Sequence, residues 1–154
     1  MSGFRHSEML ETVGHQQGTN AMDRTFSKFQ PLALSLLRFI IGLLLLQYGI
    51  AKIFKFPVVP YFASISPLIA VAATVELVGG ALLLIGLFTR PVAFILSGQM
   101  AFAYFIGHMF KGEAPVFLPL LNGGTLAIAL CFTCLYIATA GGGPIGVDAA
   151  MRKG

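Results

Sequence analysis

The chain has 154 residues, of which 56% are hydrophobic and only 10% are charged, with a formal net charge of +4. Soluble domains carry about 25% charged residues, so this composition excludes an ordinary soluble domain. The basic residues are scattered along the chain, which gives no support for nucleic-acid binding but suits contact with anionic lipid head groups.

Four long apolar stretches follow a polar N-terminal segment of residues 1–30. Each stretch has about the 20 residues that an α-helix needs to cross ~30 Å of hydrocarbon. Only helices and closed barrels satisfy their backbone in lipid, and the stretches lack the alternation of barrel strands. The sequence therefore predicts four transmembrane helices at about residues 32–54, 67–88, 91–110 and 119–140.

These elements predict an all-α fold, an integral membrane four-helix bundle that forms one domain over residues 31–148. Residues 1–30 would be either an amphipathic surface segment or disordered, and residues 149–154 would form a tail. The short Thr89–Arg90 turn predicts that the second and third helices are antiparallel neighbours. Four crossings place both termini on one side, and the distribution of Lys and Arg predicts that this side is cytoplasmic.

Two charged residues lie inside the apolar stretches, Arg38 in the first and Glu76 in the second. A charge at this depth costs at least ~2.5–3.5 kcal/mol on insertion scales, so we expect the two to face inward and to pair. Small residues on both charged helix faces favour close packing there. The pair would be either a structural salt bridge that fixes the helix register or part of a ligand-binding site.

Other polar residues in the stretches have weaker implications. Gln99 is expected at a depth close to that of Arg38, whereas His108 is expected near the outer interface. Cys131 and Cys134 form a C-x-x-C inside the fourth helix, where apolar surroundings favour inert thiols over a redox pair. No Cys/His cluster has the spacing of a metal site, so no metal is expected.

The spacing of several charged residues and glycines resembles the DoxX family of four-helix membrane proteins. The resemblance extends from about residue 33 to residue 148, although the last motif is altered in order and lacks a Ser. The residues that carry it are Arg38-x3-Gly42, Gly49-x2-Lys52, Glu76-x2-Gly79-Gly80, the Gly-Leu-Phe-Thr-Arg of residues 86–90 and the glycine-rich residues 141–148.

The resemblance implies a membrane subunit of a quinone-linked redox assembly in the bacterial inner membrane, because the name-giving relatives are subunits of thiosulfate:quinone oxidoreductase. The expected ligand is quinone, with its carbonyls near Arg38 and Gln99, and no covalently bound cofactor is expected. Glu76 would orient Arg38 or relay a proton, while Lys52 and Arg90 would flank the two mouths of the site. The chain would be at most a membrane subunit of an oxidoreductase complex, with electrons carried by quinone or by a redox partner protein.

Two other functions fit the same residues. One is a non-enzymatic scaffold or adaptor that holds a soluble partner at the membrane through the N-terminal segment and loops. The other is a small-solute or proton-coupled carrier that uses the buried charges. Four helices are few for a carrier, so this function would favour a homodimer, which the small-residue helix faces permit.

Overall fold

The computed structural model describes residues 3–62, 64 and 66–153, and the side chains of residues 22–60, 62, 64 and 66–153. The described residues form helices and connecting segments, with no β-strand among them. The main helices are α1 (Gly3–Ile53), α2 (Pro67–Ile85), α3 (Thr89–Tyr104), α4 (Pro119–Asn122), α5 (Thr125–Ala140) and α6 (Val147–Met151). A 3-10 turn covers Pro60–Phe62, and a π-helical turn, Phe105–Met109, extends α3.

Three helical segments are long and apolar enough to cross a bilayer: Met22–Ile53, Pro67–Ile85 and Thr89–Met109. Their outward faces carry many exposed large apolar side chains, as expected of helices that face lipid. The fold is thus all-helical over the described residues, with three long apolar helices compatible with a membrane helical bundle. Residues 3–30, for which the sequence predicts either an amphipathic surface segment or disorder, are helical as part of α1. The structure does not describe the side chains of residues 3–21.

The prediction of one continuous helix over residues 119–140 is wrong. The chain forms α4 and α5 separately, because Gly123 adopts a left-handed conformation with φ of 73°. The side chain of Asn122 accepts a hydrogen bond from the Gly124 amide at 2.7 Å, which stabilises the break. With 16 residues, α5 is about 24 Å long at 1.5 Å per residue. This is shorter than the ~30 Å hydrocarbon layer, so a membrane crossing at this point would also include α4 and the two glycines after it.

The turn between α2 and α3 also differs from the expected one. α2 ends at Ile85 because Gly86 takes φ of 74°, a left-handed cap that favours glycine. α3 then begins at Thr89, so Thr89 and Arg90 form its first turn instead of the connecting loop. The loop consists of residues 86–88, and the side chain of Arg90 starts from a helix.

Close contacts between α1 and α2 set the register of the two charged helices. A Cβ built on Gly42 would lie 2.5 Å from the Leu84 amide nitrogen, and one on Gly49 would lie 2.6 Å from that of Leu77. A Cβ on Gly80 would lie 2.5 Å from the Leu46 amide nitrogen. The contact positions advance along α1 as they recede along α2, and the backbones meet without intervening side chains.

A buried apolar core fills the space between α1, α2, α3 and α5. Leu83, Leu96 and Ile137 are fully buried there, together with Cys134 on α5. A smaller cluster, Tyr104, Met109 and Ala127, lies at the far end of α3. The core separates two groups of polar residues, one around Glu76 and the other around Arg38.

Candidate functional site

Lys52, Glu76 and Gln99 form one buried polar group, which we call the acid cluster. The Lys52 ammonium donates to both carboxylate oxygens of Glu76, at 2.6 Å and 2.8 Å. The Gln99 amide nitrogen donates to Glu76 Oε1 at 3.0 Å and to the Ala72 carbonyl at 3.3 Å. Glu76 is only 3% exposed, so its carboxyl group is satisfied by the Lys52 ammonium and the Gln99 amide and not by bulk water.

The helix register explains why these three residues meet. Gly49 lets α1 approach Leu77 on α2, and Lys52 lies one helical turn beyond Gly49 on the same face. Gln99 reaches the carboxylate from α3, and Gly79, packed against Leu96, brings α2 and α3 together. The acid cluster is thus assembled from three helices by small residues at their crossings.

Aromatic rings cover the Lys52 end of the acid cluster. The ammonium nitrogen lies 5.7 Å from the Tyr48 ring centroid and 5.5 Å from that of Phe62. The two rings meet edge to face at 6.3 Å. Cations within about 6 Å of an aromatic face are attracted to its π electrons, so the rings help to retain the charge while leaving the lysine side chain 14% exposed.

The acid cluster has hydrogen-bonding capacity that it does not use internally. Gln99 Oε1 is buried and has no hydrogen-bond partner among the described residues. An ammonium group has three donors, and Lys52 directs two hydrogen bonds to Glu76. A small molecule that both donates and accepts a hydrogen bond would satisfy these groups, and a buried unsatisfied acceptor otherwise costs about 1–3 kcal/mol.

The expected pairing of Arg38 with Glu76 is wrong. The Arg38 guanidinium donates to four backbone carbonyls, at Leu83, Leu84, Gly142 (3.1 Å) and Ile145 (2.7 Å). Leu83 is seven residues along α2 from Glu76, or about 10 Å at 1.5 Å per residue. The expectation that Gln99 lies at a depth close to that of Arg38 is therefore also wrong, because Gln99 contacts Glu76 and the glycine contacts set the helix register.

Arg38 acts as a structural tie. Its Leu83 and Leu84 acceptors belong to the last turn of α2, where Leu83 has, among the described residues, only the Gly86 cap amide at 3.2 Å as a backbone donor. The other two acceptors belong to the glycine-rich segment of residues 141–146, which Arg38 holds against the bundle. With a side chain that is 3% exposed and bonded through all three nitrogens, Arg38 has little left to offer a ligand.

Asp148 and Arg90 complete the same end of the bundle. The two carboxylate oxygens of Asp148 accept from the backbone amides of Phe88 (2.9 Å) and Thr89 (2.8 Å), at the start of α3. Arg90 donates to the carbonyls of residues 138–140 at the end of α5. Each charged group therefore caps the helix terminus whose dipole it complements.

The electrostatics of this end favour an ionised Asp148. Burial raises the pKa of Asp148, but hydrogen bonding from Thr89 and Phe88 and the positive charge of Arg152 outweigh it and hold the pKa below the ordinary value. The Thr89 hydroxyl is buried close to this carboxylate but meets no acceptor with hydrogen-bond geometry. An open cleft of about 340 Å³ lies beside Asp148, between Arg90 and Arg152.

The structure thus divides the five predicted site residues. Lys52, Glu76 and Gln99 come together in the acid cluster, whereas Arg38 and Arg90 lie at the other end as helix caps. Sequence reasoning missed the aromatic cover and the cap made by Asp148. The only signal for Asp148 was its place at the end of the glycine-rich motif.

The two cysteines of the C-x-x-C both lie on α5. Cys131 and Cys134 are free thiols, and Cys131 Sγ lies 3.6 Å from Ser97 Oγ. Cys134 is fully buried in the apolar core. Among the described residues, no group of three or more His, Cys, Asp or Glu side chains could hold a metal ion.

Comparisons with known proteins show the family of the chain. The chain is 38% identical over 129 residues to an uncharacterized protein of Haemophilus influenzae, covering 82% of this chain and 96% of that protein. No solved structure matches the chain. The DoxX family model matches residues 33–109, which extend from within α1 to the end of the π-helical turn that follows α3. This range includes Lys52, Glu76 and Gln99. The chain therefore belongs to the DoxX family of membrane proteins.

Proposed function

We propose that this protein binds the head group of a quinone at the acid cluster, as a membrane subunit of a quinone-linked redox assembly. The observation that carries the proposal is the buried, unpartnered Gln99 carbonyl beside a carboxylate and a partly exposed ammonium. A quinone carbonyl would accept from Lys52, and the hydroxyl of the reduced form would donate to Gln99 Oε1. The surrounding apolar helices suit an isoprenoid tail, and quinone-linked relatives in the resemblance support the same ligand class.

The acid cluster supplies binding and proton exchange in this proposal. Glu76 would be the group that exchanges a proton with the ligand, because its carboxylate lies within hydrogen-bond distance of both Lys52 and Gln99. Electrons would come from a redox partner protein. Arg38 and Arg90 have no part in ligand binding in this proposal, so the site consists of Lys52, Glu76 and Gln99.

The proposed membrane arrangement places four antiparallel crossings in the bacterial inner membrane, with both termini in the cytoplasm. α1, α2, α3 with its π-helical turn, and α4 with α5 would make the crossings. Arg24, Lys28, Arg90, Arg152 and Lys153 would then lie on the cytoplasmic side, as the positive-inside rule favours. Reporter fusions after residues 58 and 154 test this, because they should report opposite sides of the membrane.

A binding measurement tests the ligand. The protein in lipid nanodiscs is titrated anaerobically with a short-chain ubiquinol, whose hydroxyl can donate to Gln99 Oε1, and the bound quinol is separated and quantified by its ultraviolet absorbance. Gln99→Leu should weaken binding by about 10-fold, the equivalent of one hydrogen bond of ~1.4 kcal/mol. Ser97→Ala is the matched control, because Ser97 is a buried polar residue on the same helix that contacts Cys131 instead of the cluster. Equal binding by both variants and the parent protein would contradict a site at Gln99.

An adaptor function is the second candidate, and one observation favours it. α1 continues beyond the bundle, and every described side chain from Met22 to Gln30 is exposed, including the large apolar Phe26 and Phe29. This extension offers a helical face to a soluble partner. Deleting residues 1–21 together with Phe26→Ser and Phe29→Ser should abolish capture of such a partner while leaving quinone binding unchanged. Retained capture would exclude this surface as the recognition element.

A further inference from the structure

Gln47 on α1 is a polar residue in an unexpected place. Its side chain is exposed, and it makes no hydrogen bond to any described residue. On α1, the buried face that contacts α2 contains Gly42, Leu45 and Gly49, within about 40° of Arg38 at 100° per residue. Gln47 points about 180° away from Arg38, so it faces outward from the bundle.

The α1–α2 register places Gln47 deep in the hydrocarbon. Its neighbour Leu46 is level with Gly80, and α2 spans residues 67–85 with residue 76 at its middle. Gln47 is therefore within about 5 Å of the midpoint of α2 at 1.5 Å per residue. The hydrocarbon layer extends about 15 Å on either side of the bilayer centre, so neither water nor lipid head groups reach this amide.

The residues before Gln47 on the same face form a regular seam. Leu36, Ile40, Leu43 and Gln47 follow one another at alternating intervals of four and three, and all are exposed. This spacing keeps one stripe of a helix facing a parallel partner that crosses at about +20°. A single polar residue in such a seam commonly fixes the register of the two helices. We call these four residues the outer seam.

We propose that the outer seam is the interface through which two copies of this chain associate in the membrane, with the Gln47 amides hydrogen-bonded to each other. Two copies inserted with the same orientation are related by a two-fold axis along the membrane normal, which brings equivalent residues together at equal depth. Gln47 thus meets Gln47. A side-chain amide carries both a donor and an acceptor, so two of them satisfy each other reciprocally.

The second copy is favoured over other occupants by this self-complementarity. Acyl chains offer the amide no hydrogen bond, which leaves its desolvation uncompensated. The α2 side of α1 is already occupied, and the described parts of this chain place no polar group against the outer seam. Interhelical hydrogen bonds in membranes contribute modestly, so the apolar residues of the seam would supply the rest of the contact.

The test measures association of the full-length protein in liposomes. Donor- and acceptor-labelled copies, tagged at the C-terminus, are mixed at a series of protein-to-lipid ratios and energy transfer is recorded. Gln47→Leu should raise the dimer dissociation constant by roughly 3- to 20-fold, and Gln47→Asn should restore most of the association. Thr74→Val is the control, because Thr74 is an exposed polar residue of α2 that bonds to its own helix at Ala70.

Crosslinking locates the interface independently. Leu43→Cys should form a disulfide-linked dimer on oxidation, whereas Phe94→Cys, exposed on α3, should not. Energy transfer that stays at the level of a non-associating membrane protein would overturn the proposal. So would association that Gln47→Leu leaves unchanged, or crosslinking at Phe94 in preference to Leu43. If association is not observed but the protein still binds quinone, the dimer proposal is wrong and the proposed function is unaffected. The two proposals can therefore fail separately.

Discussion

The ammonium of Lys52 lies 2.6 Å and 2.8 Å from the two carboxylate oxygens of Glu76, so the buried acid of α2 is paired with the last turn of α1. This pair, and not the arginine fourteen residues earlier on α1, neutralises the deepest negative charge described in the protein. The pairing links the charge at the candidate ligand site to the packing of the two helices, since Gly49 permits both.

Replacing one partner of the Lys52–Glu76 pair should destabilise the fold more than replacing both. Lys52→Met leaves Glu76 buried without its cation, which we expect to cost about 3 kcal/mol, since removal of one partner from a buried pair is strongly destabilising. The double variant Lys52→Met with Glu76→Gln should recover most of this loss. Thermal unfolding in detergent measures both. A single variant as stable as the parent protein would show that the pair is not a packing constraint.

Arg38→Met should loosen the glycine-rich segment of residues 141–146. Four carbonyls would lose the Arg38 donor, although Leu83 keeps the Gly86 amide at 3.2 Å. Each buried group left unsatisfied costs about 1–3 kcal/mol, partly relieved by water at this end. Arg38→Lys should recover only part of the loss, because an ammonium lacks the planar fork that reaches both segments. Hydrogen exchange at the amides of residues 145–150 measures the opening. Arg24→Lys, an exposed substitution on the same helix, should leave that exchange unaltered.

Gly42 and Gly49 of α1 should tolerate alanine far less well than Gly98 of α3. Gly42→Ala and Gly49→Ala place a methyl group against backbone atoms that cannot move aside, which costs typically 1–3 kcal/mol. Gly98→Ala on α3 meets nothing within 4 Å and should be neutral or stabilise the helix by about 0.5–1 kcal/mol. Thermal unfolding midpoints of the three variants give the comparison. Equal effects at all three positions would refute the close approach of α1 and α2.

Acid should release the cap that Asp148 places on α3. Because the pKa of this carboxyl is lower in the folded protein than its ordinary value of 3.8, the cap contributes stability fully above that value. The contribution is lost as the pH falls through the folded-state pKa. Asp148→Asn should weaken the cap at neutral pH and remove its pH dependence. Stability measured from pH 6 down to pH 3 in parent and variant checks this, and parallel curves would argue against the cap.

The sequence alone determined the membrane setting and the approximate places of the three long apolar helices, because both depend on local quantities. Long apolar stretches fix transmembrane segments whatever their neighbours are, and the order of the charged and glycine motifs was enough to recognise the DoxX family. The sequence also identified the residues whose charge or polarity requires an explanation, Arg38, Lys52, Glu76 and Gln99. Their burial or pairing follows from the cost of polar groups in hydrocarbon.

Only the tertiary structure decided which of these residues meet. Arg38 and Lys52 share one face of α1, so the sequence could not tell which of them reaches Glu76; a shift of two or three turns between the helices exchanges the partners. That shift is set by Gly42, Gly49 and Gly80, whose contacts depend on two helices at once. The same reason explains Asp148 and Arg90, which cap helices distant in sequence, because a capping partner is chosen by proximity in space and not by spacing along the chain.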